Sequence, residues 1–344
     1  MPGRLTALAL ALLVLAGVTG VLLRSALLGP LSLPAGGLIV EVKPGSSLAA
    51  VAAKLEAEGV VSQPLVFRAV ARVLGADQRI RAGEYRLLPQ LNLLQLLEQL
   101  QSGDTVRYLV TLPEGIRLRD AIDLLQESDG IDALLQGASD PRLLRLVEGA
   151  EGAVSAEGFF LPETYQYERG ATDLQILEQA HRLAREELAA AWATRADELP
   201  YRSPYEALIM ASIIEKETGL SEERGQIAGV FVRRLRRGIR LQTDPTVIYG
   251  LGEDFDGNLT RAHLRDSMNP YNTYRHHGLP PTPIALPGRA ALGAALNPEL
   301  GDSLYFVARG DGSHVFSATL EEHERAVREF QLRRRDDYRS SPPR

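Results

Sequence analysis

The stretch Ser203–Glu217 constrains the fold more than any other part of the chain. Ser203-Pro204-Tyr205-Glu206 is a helix-start signal: a serine able to cap, a proline suited to the first turn, and a glutamate three residues on that completes a capping box. Ala207 to Ile214 then run apolar or small without a break, so the helix has no face fit for water and must be packed on several sides. Ionisable side chains enter only in its last turn, as Glu215-Lys216-Glu217, before Thr218 and Gly219 stop it.

A carboxyl group at the end of such a helix sits where desolvation disfavours its charged form and raises its pKa. That is the setting a general acid needs near neutral pH. The two glutamates are two residues apart, roughly 200° around the helix, so they cannot work side by side in one cleft. Charged helix ends are also common as plain solvent-facing caps. Spacing alone does not choose between Glu215 and Glu217.

Leu5 to Leu23 carries only apolar and small residues plus Thr6 and Thr19, with Arg4 before it and Arg24 after. Its length matches the roughly 20 residues a helix needs to cross a bilayer core. A cleaved signal peptide would have a shorter apolar region and a small-residue cleavage site, which is not found after this run. The reading is an uncleaved transmembrane signal anchor over 1–24, with its N-terminus cytoplasmic and everything after it outside the cytoplasm. The net charge of -6 gives no basic footprint for nucleic acid. The absence of cysteine excludes a disulfide scaffold, a thiolate nucleophile and Cys-ligated zinc.

Residues 25–37, with two prolines and three glycines, read as a linker. From 38 to 103 the pattern is a strand near Leu38–Val42, a Pro44-Gly45 turn, a helix capped by Ser46 or Ser47, a second helix from Pro64 to Leu74, a returning strand at Ala82–Leu87, and a helix from Leu91 to Leu100. That order resembles a LysM-type glycan-binding module; a small α+β spacer whose apolar positions are only core is the alternative. The strand–Pro–Gly–helix construction is echoed at Leu109–Leu118, which opens a larger region over 104–332. The residues 333–344 read as a flexible tail.

Ala211-Ser212-Ile213-Ile214-Glu215-Lys216-Glu217-Thr218, followed by Leu241-Gln242-Thr243-Asp244-Pro245-Thr246-Val247-Ile248-Tyr249, resembles the most characteristic block of the YceG family of endolytic murein transglycosylases. Glu157–Tyr165, Pro270–Tyr274, Gly278–Ile284, Leu304–Ala308 and Gly312–Phe316 are similar to further family blocks, in family order. The resemblance implies an α+β protein: an N-terminal transmembrane helix, a LysM-like α+β domain, and a larger α+β catalytic domain whose buried central helix ends at the catalytic Glu. It selects Glu215, the first glutamate of the E-K-E-T run, as catalytic acid/base.

The implied reaction cleaves the MurNAc–GlcNAc β-1,4 bond of peptidoglycan without water and leaves 1,6-anhydroMurNAc ends. The partners it implies are glycan strands, the inner membrane and peptidoglycan synthases; no nucleic acid partner, metal or cofactor is expected. Gln242, Thr243, Asp244, Asn272 and Tyr274 are the candidate substrate-binding residues, although Pro-flanked turns would explain the same residue types. Tyr271, Phe159 and Tyr165 are candidate sugar-stacking aromatics. His263, His276 and His277 lack metal-ligand spacing. Arg233, Arg234, Arg236 and Arg237 read as a solvated, dipole-complementing helix end. Two other functions fit less of the chain: a muramidase using Asp244 as a second carboxylate, and a membrane-tethered glycan-binding scaffold.

Overall fold

The chain passes first into a long helix, α1 (Pro2–Leu28), in a computed structural model that describes residues 2–150 and 152–332. The expected membrane span falls in α1, but many of its side chains lie outside the described residues. Among the described residues no helix is long and apolar enough to cross a membrane. The expected tail, 333–344, also lies outside them.

The fold is mixed α and β, divided into two units. The first takes the chain up to Tyr108 and adds Gln166–Arg169. After α1 come β1 (Leu38–Val42), α2 (Leu48–Ala57), α3 (Pro64–Val73), β2 (Gly83–Leu87) and α4 (Leu93–Ser102). β1 and β2 pair antiparallel, with Leu38 opposite Leu87 and Val42 opposite Gly83. Alternation along the strands turns Val40, Val42, Tyr85 and Leu87 to one buried face, which the helices cover with Val51, Leu55, Phe67, Leu96, Leu97 and Leu100. Ser47 caps α2 by accepting from the Ala50 N–H at 3.2 Å, and Asn92 and Gln95 form a reciprocal capping box on α4.

The segment 25–37 departs from the expected spacer. Its first residues continue α1, and Leu27, Leu31 and Leu33 pack against the core of this unit. The Leu31 N–H donates to the Leu91 carbonyl at 2.7 Å. Prolines and glycines marked the turns correctly, but Leu27, Leu31 and Leu33 supply enough apolar surface to dock the segment.

The second unit holds Leu109–Tyr165 and the chain from Gly170. In chain order its elements are β3 (Tyr108–Thr111), α5 (Leu118–Glu127), β4 (Ile131–Asp132), α6 (Pro141–Leu146), β5 (Thr164–Tyr167), β6 (Ala171–Thr172), α7 (Asp173–Ala193), α8 (Pro204–Glu217), α9 (Arg224–Arg236), α10 (Asp244–Leu251), α11 (Arg261–Arg265), α12 (Arg289–Leu296), β7 (Tyr305–Ala308), β8 (His314–Ser317) and α13 (Leu320–Val327). The strands pair as β3 with β5, β4 with β6, and β7 with β8.

α8 is the centre of this unit, packed by α7, α9, α10 and α12. Tyr205 and all of Ala207–Ile214 are buried, as the unbroken apolar run requires. Its capping box is half made: Ser203 accepts from the Glu206 N–H, while the Glu206 carboxylate turns to the Arg202 N–H at 2.7 Å. The arginines after Val232 are a correction to the solvated-end reading. Arg234 is 7% exposed and donates to the carbonyls of Leu304 at 2.6 Å and Leu241 at 2.7 Å; Arg233 donates to Ser303 at 2.7 Å. A guanidinium fork can satisfy several loop carbonyls at once, and here it ties two distant segments to α9.

Candidate active site

The last turn of α8 puts its two carboxylates into different surroundings, as a separation of roughly 200° demands. Glu217 lines a cleft of about 1070 Å³ together with Gln242, Thr243, Asp244, Tyr274, Arg234, Arg261, Tyr305 and His323. The Thr243 hydroxyl donates to its carboxyl group. Burial pushes the Glu217 carboxyl up to about 7, helped by the negative charge of Asp244 and opposed by the Thr243 hydrogen bond and Arg234. Its place at a helix C-terminus disfavours a negative charge further.

Glu215 is not among the residues lining that cleft. Its side chain is 4% exposed and meets Arg224 Nη2 at 3.1 Å through Oε1, while Oε2 accepts from the Gly288 N–H at 2.9 Å. Burial raises its pKa, against the opposing pull of the Gly288 hydrogen bond and Arg224. Burial therefore holds both glutamates toward the neutral form, Glu217 beside the Thr243 hydroxyl and Glu215 between Arg224 and the Gly288 N–H.

The floor of the cleft is a network of threonines. The Thr243 N–H donates to Thr273 Oγ1 at 3.1 Å, Thr246 and Thr273 share a hydroxyl contact of 2.9 Å, and the Thr246 hydroxyl donates to the Thr243 carbonyl at 2.8 Å. Gln242 takes the left-handed φ of 54°, a conformation rare for a residue with a side chain and held here by its N–H bond to the Thr273 carbonyl. The Tyr274 hydroxyl donates to Asp244 Oδ1 at 2.6 Å, so tyrosine and aspartate form one polar edge.

Four of the five candidate substrate residues, Gln242, Thr243, Asp244 and Tyr274, thus meet in one cleft. Asn272 does not join them. It is fully buried; its Nδ2 donates to the carbonyls of His263, Leu264 and Asp266 and its Oδ1 accepts from the Tyr274 N–H at 3.0 Å. With both ends committed, the amide shapes the loop rather than offering a group to a ligand. Phe159 is buried and stacked on Tyr205 at 5.5 Å, Tyr165 is buried in the core, and the Tyr271 hydroxyl pairs with Thr282 at 2.9 Å. Tyr274 is the one aromatic of that set in the cleft. Arg234 joins it from α9, Tyr305 from the Leu304–Ala308 block and His323 from α13, none of them read from the sequence as a substrate residue.

His276 and His277 bind the carbonyls of Ser267 and Gly238, and His263 accepts from the Thr260 N–H in the α11 cap. Each is accounted for as a loop tie. Glu157 is a further buried carboxylate that spacing did not single out. It accepts from the Leu118 N–H at 2.9 Å and the Tyr249 hydroxyl at 3.2 Å, and burial pushes it up to about 7 despite both bonds.

The family model described as the YceG-like family matches residues 40–329. The endolytic murein transglycosylase of Bacillus subtilis is 31% identical over 307 residues, covering 85% of this chain and 84% of that protein. The Streptococcus pneumoniae protein of the same name is 28% identical over 321 residues, which are 84% of this chain and 58% of that longer protein. A crystal structure of a yceG-like protein from Listeria monocytogenes aligns with a TM-score of 0.52 at 29% identity, covering 84% of this chain and 98% of that one.

Proposed function

The chain belongs to the YceG-like family, and from that premise we propose that it is an endolytic lytic transglycosylase of peptidoglycan, with Glu215 as its single acid/base. The observation that carries the residue choice is the E-K-E-T run at the end of α8, whose first glutamate is Glu215, 4% exposed beside Arg224 and the Gly288 N–H. Burial raises its pKa, which suits a group that must serve as acid and then as base. The names of the relatives supply the substrate, murein.

In the first half the protonated Glu215 carboxyl donates to the glycosidic oxygen, and the bond from that oxygen to C1 of MurNAc breaks. In the second half the Glu215 carboxylate takes the proton from the MurNAc C6 hydroxyl as that oxygen attacks C1. The products are a GlcNAc 4-hydroxyl and a 1,6-anhydroMurNAc end, with no water consumed. Asp244 and the Tyr274 hydroxyl, joined at 2.6 Å, are proposed to bind the glycan strand. Endolytic cutting of new strands limits their length and puts the enzyme beside peptidoglycan synthases.

The same reading takes Leu5–Leu23 as a single inner-membrane anchor and places both units in the periplasm. The first unit, with its strand–helix–helix–strand–helix order, serves as a LysM-like module. Replacing residues 2–24 by a cleavable signal peptide is expected to move the protein from the membrane fraction to the soluble periplasmic fraction; retention in the membrane would overturn the anchor.

Asp244, a second carboxylate in the Glu217 cleft, gives the muramidase reading a specific footing, since hydrolysis needs a base for water. Product chemistry separates the two. Mass spectrometry of uncross-linked glycan strands treated with the full chain is expected to give anhydro-muramic ends, lost in Glu215→Gln; their retention in that variant would overturn Glu215 as the acid/base. Reducing ends instead would mean a hydrolase, and no cleavage would mean a scaffold.

A further inference from the structure

Arg224, the first residue of α9, is spent differently from Arg234 further along that helix. Arg234 uses its guanidinium fork on the carbonyls of Leu304, Arg240 and Leu241, the pattern of a loop tie. Arg224 leaves its Nε buried without a hydrogen-bond partner and sets one nitrogen between two carboxylates. Its Nη2 donates to Glu215 Oε1 at 3.1 Å and to Glu114 Oε2 at 3.4 Å. Exposure is graded along the three side chains, 47% at Glu114, 11% at Arg224 and 4% at Glu215. Glu114 comes from the loop between β3 and α5, and Gly288 leaves it room: a Cβ at that position would stand 1.9 Å from Glu114 Oε1. A buried donor left unpaired is a cost to the fold, so hydrogen bonding alone does not account for this placement of Arg224.

We infer that Arg224 is a positioning residue for the reaction, a guanidinium shared between Glu114 and Glu215 that follows the charge on Glu215 as this group passes from acid to base. The inference rests on the reading of Glu215 as the acid/base. When Glu215 gives its proton to the glycosidic oxygen it becomes an anion in a place almost without water, where an unpaired charge is costly; Arg224 already stands within hydrogen-bond distance. When the Glu215 carboxylate takes the proton of the C6 hydroxyl its charge is gone, and Glu114 is the anion left to hold Arg224. The Gly288 N–H fixes the other oxygen, Oε2, at 2.9 Å, so exchange at Oε1 does not turn the carboxyl group away. The charged groups around Glu215 are Lys216 on its own helix, Glu114 from the β3–α5 loop, Arg224 from α9 and Arg289 beside Gly288. Lys216 Nζ donates to the Gly115 carbonyl at 3.1 Å, and Arg289 is engaged by Glu163 at 2.8 Å and Glu187 at 2.7 Å. Among the described residues, Arg224 is the cation paired with Glu215. Burial raises the Glu215 pKa, Arg224 pulls it down and Glu114 pushes it up, so the two partners act with opposite signs.

The test uses the full chain in detergent on uncross-linked strands, reading kcat, KM and the pH dependence of anhydro-end formation. Arg224→Gln is expected to lower kcat about 10- to 100-fold, the scale of a lost charge-assisted hydrogen bond, with KM within about two-fold. Its alkaline limb should move to higher pH, since Glu215 holds its proton more tightly without the cation, whereas Glu114→Gln should move the limb to lower pH. Arg224→Lys, which keeps the charge, should recover part of kcat and bring the limb back toward wild type. An arginine that only braced α9 would lower activity through stability and leave the limb in place. An unmoved limb in folded Arg224→Gln or in Glu114→Gln would therefore overturn the inference; Glu114 is 47% exposed, so its variant keeps the test open where Arg224→Gln folds poorly. Loss of anhydro ends in Glu215→Gln together with unmoved limbs would overturn the inference and leave Glu215 in its role. Anhydro ends retained in Glu215→Gln would overturn the acid/base assignment, and this inference with it.

Discussion

Glu215 and Glu157 are both carboxyls whose pKa burial raises, and the two differ in what the pH does to them. For Glu215 the consequence is kinetic. Its acid form is depleted as pH climbs through the raised pKa, so the rate of anhydro-end formation should fall on the alkaline side. Replacing Glu114 by Gln removes a negative charge that raises the Glu215 pKa and should move that limb to lower pH; a limb that stays put in Glu114→Gln would remove Glu114 from the electrostatics of the site. For Glu157 the consequence is stability. A folded-state pKa above the unfolded one means the folded state holds the proton more tightly, so this contribution is fully present below the unfolded value and is lost as pH rises to about 7. The shift corresponds to roughly 3 kcal/mol once the group is ionised. Glu157→Gln cannot ionise, so thermal unfolding from pH 5 to 8 should show wild type losing ground against it. Parallel curves for the two proteins would show that Glu157 does not carry the pH dependence.

α8 shows how a helix read from sequence becomes a site, and how far that reading reaches. Its start, its burial and its end followed from Ser203, Pro204, the unbroken apolar run and Thr218, because capping and periodicity are local. The same holds for the strands and helices between Leu38 and Leu100, and for the echo of strand, glycine turn and helix at Leu109–Leu118, where Gly115 takes a φ of 74°. Which of two glutamates faces a cleft is not local. It depends on where α9, α10 and the 283–288 loop pack around the turn, so no local pattern could choose between them and only the family resemblance selected Glu215. Asn272 escaped for a related reason: a polar residue in a Pro-flanked turn reads alike whether it faces solvent or binds three carbonyls.

One buried contact links α8 to that loop directly. The Ser212 hydroxyl donates to the Ile209 carbonyl at 2.7 Å and accepts from the Ile284 N–H at 3.0 Å. Ser212→Ala leaves that N–H without its partner in a buried site and should destabilise the fold by about 1–3 kcal/mol in chemical denaturation. An unchanged midpoint would mean that the 283–288 loop shifts to satisfy the N–H elsewhere.

At the scale of the whole chain, the first unit begins earlier than its strands do. Leu27, Leu31 and Leu33 lie on its core, the Pro30 and Asn92 backbones bridge, and the 2.7 Å bond from Leu31 to Leu91 fixes the approach. α1 leads into the module without a free tether, so a cut made at Leu38, where the sequence pattern places the first strand, strips apolar cover from the β1–β2 module. Partial burial of three leucines is worth on the order of 3 kcal/mol. The fragments 25–108 and 38–108 separate the alternatives, because both keep every strand and helix from β1 to α4 and differ only in the docked segment. Urea unfolding should place the longer fragment higher by roughly that amount, with a larger m-value from the additional surface it exposes. Equal midpoints would return 25–37 to the role of a spacer, and would mean that the leucines rest on the module without stabilising it.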